Sequence, residues 1–226
     1  MAMGTTIHRL RRSRLGNGTA DGCIGQAEKA AMVRAAAEKI GELFDVLKID
    51  HLDDHNTRDT PGRVARMFVE ETLRGRYDAP PKMTDFDNAE AFDQLIVTGP
   101  IEVRSTCAHH LMPIYGHAFV GALPSADGRI IGLSKYDRIV DHFAARLQIQ
   151  EELVKQIGQH LVEVTAPRGL AVRISAVHMC RTHRGVRASH RGRMVNSAYY
   201  GEISTDRALQ GQFLQECVAL ERGVAG

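Results

Sequence analysis

Residues 169–180 read Gly-Leu-Ala-Val-Arg-Ile-Ser-Ala-Val-His-Met-Cys. Side chains alternate across an extended chain, so Leu170, Val172, Ile174, Ala176, His178 and Cys180 share one face. That face is apolar until its last two members, an imidazole and a thiol. The stretch is the clearest strand in the chain. Similar patterns predict strands over 94–105, 117–123 and 194–204. The segments around them have a helical period. Residues 26–47 place Ala30, Val33, Ala37, Ile40, Leu43, Phe44 and Leu47 at three- and four-residue steps. Thr60-Pro61 predicts a helix start, with Thr60 as N-cap, Pro61 in the first helical position and Gly75 as the stop. Ser134-x-x-Asp137 resembles a capping box ahead of Ile139, Val140, Phe143 and Leu147. Helices over 150–164 and 206–222 follow, with a loop at 77–88. Helices preceding a body of mixed strands and helices give an α+β fold, its strands mostly antiparallel.

Composition sets the bounds. The chain has 226 residues, 43% hydrophobic and 25% charged, with a net charge of +2. These values exclude whole-chain disorder and fit one large domain, or a domain with an N-terminal appendage. No run approaches the ~18 apolar residues of a membrane span. The N-terminus is basic but lacks the apolar core of a secretory signal. Residues 1–25, with Arg9, Arg11, Arg12 and Arg14 and then a glycine-rich run, read as a flexible tail. Four scattered cysteines, Cys23, Cys107, Cys180 and Cys217, make no disulfide framework, so a cytoplasmic location is expected. The unusual count is histidine, at 11, which raises metal or acid–base chemistry.

The strongest local signal is Cys107-Ala108-His109-His110. Cys107 and His110 have a usual spacing for two ligands on one metal, and Cys180 ends the strand quoted above. Together they offer two thiolates and one imidazole, leaving one tetrahedral position open, as in catalytic rather than structural zinc sites. Taken singly, each is better read as a buried small apolar group or a satisfied core imidazole, and the spacing leaves the choice open. His109 and His178 sit beside these residues and suit proton transfer near neutral pH.

There is no Walker A sequence and no GxGxxG, so a bound phosphate must be held by side chains. Lys135 and Arg138 project from one helical face, as do Arg63 and Arg66. Arg181, Arg184, Arg187, Arg191 and Arg193 follow Cys180 without an intervening acid. Guanidinium groups donate in a fixed fork that suits phosphate oxygens, although each pair reads equally well as a solvated face. A nucleic-acid partner is disfavoured: aromatics are 5%, Trp is absent and the net charge is small.

In order and spacing, Ser105-Thr106-Cys107-x-His109-His110, Gly132-Leu133-Ser134-Lys135, Arg138-Ile139-Val140, Arg146-Leu147-Gln148-x-Gln150-Glu151, His178-Met179-Cys180 with Arg184-Gly185, and Thr60-Pro61-x-Arg63-Val64-Ala65 resemble GTP cyclohydrolase I. The resemblance covers about residues 26–220. It implies a tunnelling fold, an antiparallel sheet with helices on one side preceded by N-terminal helices, with a helical region over 26–93 and a catalytic domain over 94–226. It implies a homo-oligomer of two stacked five-membered rings with sites between subunits, and no membrane or nucleic-acid partner. The implied reaction opens the guanine imidazole ring of GTP with water, giving formate and 7,8-dihydroneopterin triphosphate, an entry to tetrahydrofolate or related pterins. The implied zinc ligands are Cys107, His110 and Cys180. His109 and His178 would move protons, Ser134 would assist at the ribose, and Gln150 and Glu151 would read the guanine edge. Lys135, Arg138 and Arg184 would hold the triphosphate, with Arg63 and Arg66 contributing.

Two departures stand out. The family usually has Glu where this chain has Ala108, and Arg, His, Gly and Met largely replace hydroxyls across 187–197. They keep open a homologue acting on a related purine nucleotide, or one stopping at the ring-opened formamide. A non-catalytic nucleotide-binding ring is the reading of a different class, and intact His109, His178 and Glu151 argue against it.

Overall fold

The computed structural model describes residues 16–20, 22–83, 85–88, 91–126 and 128–223. Arg9, Arg11, Arg12 and Arg14 of the expected tail lie outside them. The chain divides into two compact units, Met1–Ala79 and Pro80–Gly226.

In the first unit, α1 (Gln26–Val46) packs against α2 (Thr60–Arg66). The π-helical turn Met67–Thr72 and the short α3 (Arg74–Tyr77) continue α2. Asp59 rather than Thr60 occupies the N-cap position of α2, and Gly75 lies buried inside α3 instead of ending a helix. Lys29 of α1 is buried and ion-paired with Asp78. The described part of the expected tail is tied down: Ala20 N–H donates to Arg76 O at 2.8 Å and Ile24 N–H to Tyr77 O at 3.0 Å. The apolar stripe read along α1 is not wholly covered in this unit, since Leu43 and Leu47 are exposed.

The second unit begins earlier than position 94. β1 (Asp85–Asp87) pairs antiparallel with β4 (Arg129–Ile131), which binds the expected loop to this unit and moves the boundary to 79/80. The main sheet contains β2 (Ile96–Cys107), β3 (Pro113–Leu123), β5 (Leu147–Gln148), β6 (Gly169–His178) and β7 (Met194–Gly201). Its order is β5-β2-β3-β6-β7, antiparallel except for the short β2–β5 contact. This is an α+β arrangement, as expected.

Strand alternation builds two cores. On one face Val103, Val120, Leu170, Val172 and Ile174 meet α4 (Leu133–Ala144) and α5 (Gln150–Thr165), through Ile139, Val140, Leu153, Ile157 and Leu161. Each fully buried side chain of this size contributes about 1.5–3 kcal/mol. α5 approaches β7 so closely that a Cβ on Gly158 would lie 2.3 Å from Tyr200 Cε2. The opposite face is not bare. There Phe119, Leu123 and Ala171 pack with Ile203, Phe213 and Cys217, the last three from α7 (Glu202–Thr205) and α8 (Arg207–Gly223). Helices on one side therefore describes α4 and α5, while α8 caps the far ends of the strands on the other face.

Between β6 and β7 the chain makes the short helical turn α6 (Met179–Thr182), so the strand ends two residues before Cys180. α4 starts at Leu133 with Gly132 in the N-cap position, not at the Ser134 capping box. Ser134 is thereby an exposed residue of the first helical turn.

Candidate active site

β3 lies between β2 and β6 in the sheet, and its first residues face the ends of both: Thr106 is opposite Pro113, and Ile114 is opposite His178. The last residue of β2, Cys107, and the turn after β6 therefore meet at one edge. The connection from β2 to β3 is tight. Cys107 N–H donates to Met112 O at 2.8 Å and Leu111 N–H to Cys107 O at 2.9 Å, with Leu111 in the left-handed region at φ 54. β5 braces this turn from the other side, since Ala108 N–H donates to Gln148 O at 3.0 Å. Gln148 is itself fully buried, donating to Phe143 O at 2.7 Å and Gln156 Oε1 at 2.9 Å. This support was not anticipated, and a β5 of only two residues carries no periodicity that could have announced it.

The turn and α6 bring together the three candidate ligands that the sequence offered. Ligand atoms of Cys107, His110 and Cys180 all lie within 4.8 Å of one another. Cys107 is buried, Cys180 half-buried and His110 exposed, so the cluster opens toward solvent on the imidazole side. Burial pushes the Cys180 thiol up, and its hydrogen bond with Cys107 adds to the rise. Two sulfurs and an imidazole at this separation fit a divalent ion of the zinc class, which would displace those thiol protons. His110 Nε2 lies 2.9 Å from Arg184 Nη1. A guanidinium only donates, so that imidazole nitrogen carries a lone pair.

The two remaining histidines differ in setting. His109 is exposed, with Nδ1 3.8 Å from Cys107 Sγ. His178 is half-buried at the end of β6. Burial holds its pKa below the usual histidine value, the Glu151 carboxylate opposes that effect, and Arg181 adds to it. Glu151, exposed on the first turn of α5, is thus close enough to His178 for its charge to be felt.

Gln150 departs from expectation. Its side chain is 1% exposed and sits inside the protein. Nε2 donates to Met194 O at 3.0 Å and Ile174 O at 3.2 Å, and Oε1 faces His178 Nε2 at 2.8 Å. Its donors are both used by the protein itself, and its oxygen meets His178.

The expected anion-binding residues lie on several elements. Lys135 and Arg138 are on the first turns of α4, where Lys135 Nζ lies 3.4 Å from Lys82 O. Arg63 and Arg66 belong to the first unit, where Arg63 pairs with Asp59 at 3.1 Å.

The protein-family model of GTP cyclohydrolase I matches residues 36–218. The chain belongs to the GTP cyclohydrolase I family. Curated relatives named GTP cyclohydrolase 1 agree. That of Nitrosospira multiformis is 41% identical over 158 residues, covering 70% of this chain and 81% of that protein. That of Streptomyces avermitilis is 38% identical over 185 residues, covering 81% and 88%. That of Mycobacterium avium is 37% identical over 199 residues, covering 88% and 91%. GTP cyclohydrolase I is a hydrolase, and this member's Cys-His-Cys cluster lies within the matched region.

Proposed function

We propose that this chain is a zinc-dependent GTP cyclohydrolase I, converting GTP and water to formate and 7,8-dihydroneopterin triphosphate. The observation that carries the reading is the convergence of Cys107, His110 and Cys180 beside His178, in a chain matched to the family over residues 36–218. Cys107, His110 and Cys180 would hold the zinc, which supplies Lewis acidity toward water at the purine carbon. The cluster opens to solvent on its His110 side, which leaves room for water and a substrate.

The protein's own groups do the remaining work. His178 is half-buried with its pKa held down, so near neutral pH it is an uncharged base ready to take a proton. His109, exposed on the ligand-bearing turn, is the second proton carrier. Glu151 accepts hydrogen bonds from the guanine N–H and amino group, and its exposure leaves the carboxylate free for a ligand. Ser134, exposed on α4, serves the ribose. Lys135, Arg138 and Arg184 hold the triphosphate, with Arg63 and Arg66 contributing, in a decamer of two pentameric rings. The four cysteines are free thiols, which supports a reducing cytoplasmic setting and a place at the entry to tetrahydrofolate or related pterins. Among the described residues no helix is long and apolar enough to cross a membrane.

The test is direct. Zinc-loaded protein incubated with GTP releases formate, and oxidation of the mixture yields a fluorescent pterin. Ring-opened product without pterin would shift the assignment to an arrested, diverged enzyme. Tight GTP binding without turnover would make the protein a binder.

A further inference from the structure

Which nitrogen of His178 carries its proton is fixed by its neighbour. Gln150 lies between three groups: two backbone carbonyls, Ile174 O of β6 and Met194 O of β7, and the His178 ring. Carbonyl oxygens only accept, so the amide end facing them is the NH₂, and both of its hydrogens are used. The reversed amide would aim an oxygen at two carbonyl oxygens and lose both bonds in a site that is 1% exposed. The amide oxygen therefore faces His178, and since it too only accepts, His178 Nε2 must donate.

We propose that Gln150 is a positioning residue that holds His178 as the Nε2–H tautomer, so that the proton traffic of the reaction runs through Nδ1 alone. This rests on the reading of the reaction given above. In the neutral ring Nδ1 holds the lone pair. When Nδ1 takes a proton the ring becomes an imidazolium, and its Nε2–H stays bonded to Gln150 Oε1. An amide oxygen does not take that proton, so the only one returned is the one on Nδ1. Gln150 also fixes the ring in space, because its own amide is anchored to two adjacent strands. The residue thus acts through His178 and not on the purine.

The test is a double-mutant cycle on the zinc-loaded full chain with GTP. Gln150→Leu is expected to lower kcat about a hundredfold, the usual cost of a misplaced catalytic group, with zinc content retained and KM for GTP unchanged. In a His178→Ala background the same substitution is expected to cost nothing further in kcat, since its target is gone. A raised KM with kcat retained would return Gln150 to the substrate edge. Losses that multiply across the two positions would show a general structural role. Both results overturn the proposal. A second readout needs no Gln150 variant. In zinc-loaded wild-type protein carrying ¹⁵N-histidine, with His178 assigned by signal loss in His178→Asn, Nε2 is expected to bear the proton; a proton on Nδ1 of the neutral ring overturns the assignment. Absence of formate from wild-type protein would overturn the reaction reading alone, while the tautomer still decides what Gln150 does.

Discussion

Cys180 and His178 are two residues apart and differ in what they give the site. Cys180→Ala is expected to lose metal and activity together, because it removes one of the three candidate ligands. His178→Ala is expected to keep the metal, by elemental analysis, and to lose about 10²- to 10⁴-fold in turnover. Zinc loss in His178→Ala would merge the two roles. Away from the site, His160 governs a different property. Its Nε2 is buried without a hydrogen-bond partner, and its ring lies 5.3 Å from that of Phe143, tilted by 57°. Burial lowers its pKa, Glu163 opposes the shift and Arg146 adds to it. The unfolded chain therefore binds more protons than the folded one below about pH 6.5, so stability falls as pH drops through that value. Denaturant titrations from pH 7.5 to 5 (roughly the range over which an unfolded histidine titrates) are expected to show this slope, and His160→Phe is expected to flatten part of it; His178, shifted the same way, adds to it. Cys107, His110 and Cys180 were legible in the sequence as candidate ligands because spacing and side-chain type can be read directly, and the fold groups them. The part played by Gln150 was not, because it depends on carbonyls 24 and 44 positions away.

Long elements could be read from their periods, and short ones could not. β6 was visible because four alternating apolar positions lie in one run, and α5 because Leu153, Val154, Ile157 and Leu161 repeat at helical steps. β4 and β5 have three and two residues, too few for any period to emerge. Helix starts were misread where a hydroxyl was given a capping role that the backbone assigned to Gly132 and Asp59. Close packing between elements yields firm expectations. Gly158→Ala would drive a methyl into Tyr200 where α5 crosses β7, and overpacking of this kind costs about 1–3 kcal/mol in urea unfolding. Phe213→Ala would empty the centre of the α8 core, with a loss of about 3–5 kcal/mol. The second cost should appear without loss of zinc, since Phe213 packs against the opposite ends of the strands from Cys107 and His178.

For the molecule as a whole, an ion held by this cluster would be a fastener. The three candidate ligands come from β2 and the turn after it and from α6 after β6, so binding would join segments that the sheet holds only through β3. A ligand bound by the folded state alone raises stability by mass action. Chelation is expected to lower the melting temperature in a thermal scan, and added zinc to restore it; an unchanged transition would mean the cluster does not bind the ion in the native fold. The distribution of sulfur has a practical corollary. Cys23 is exposed, Cys107 and Cys217 are buried, and Cys180 is half-buried. A maleimide dye should find Cys23 at once in loaded protein and gain Cys180 only after the ion is stripped. Counting dye per chain would therefore gauge how much of a preparation is charged and ready, before any substrate is added.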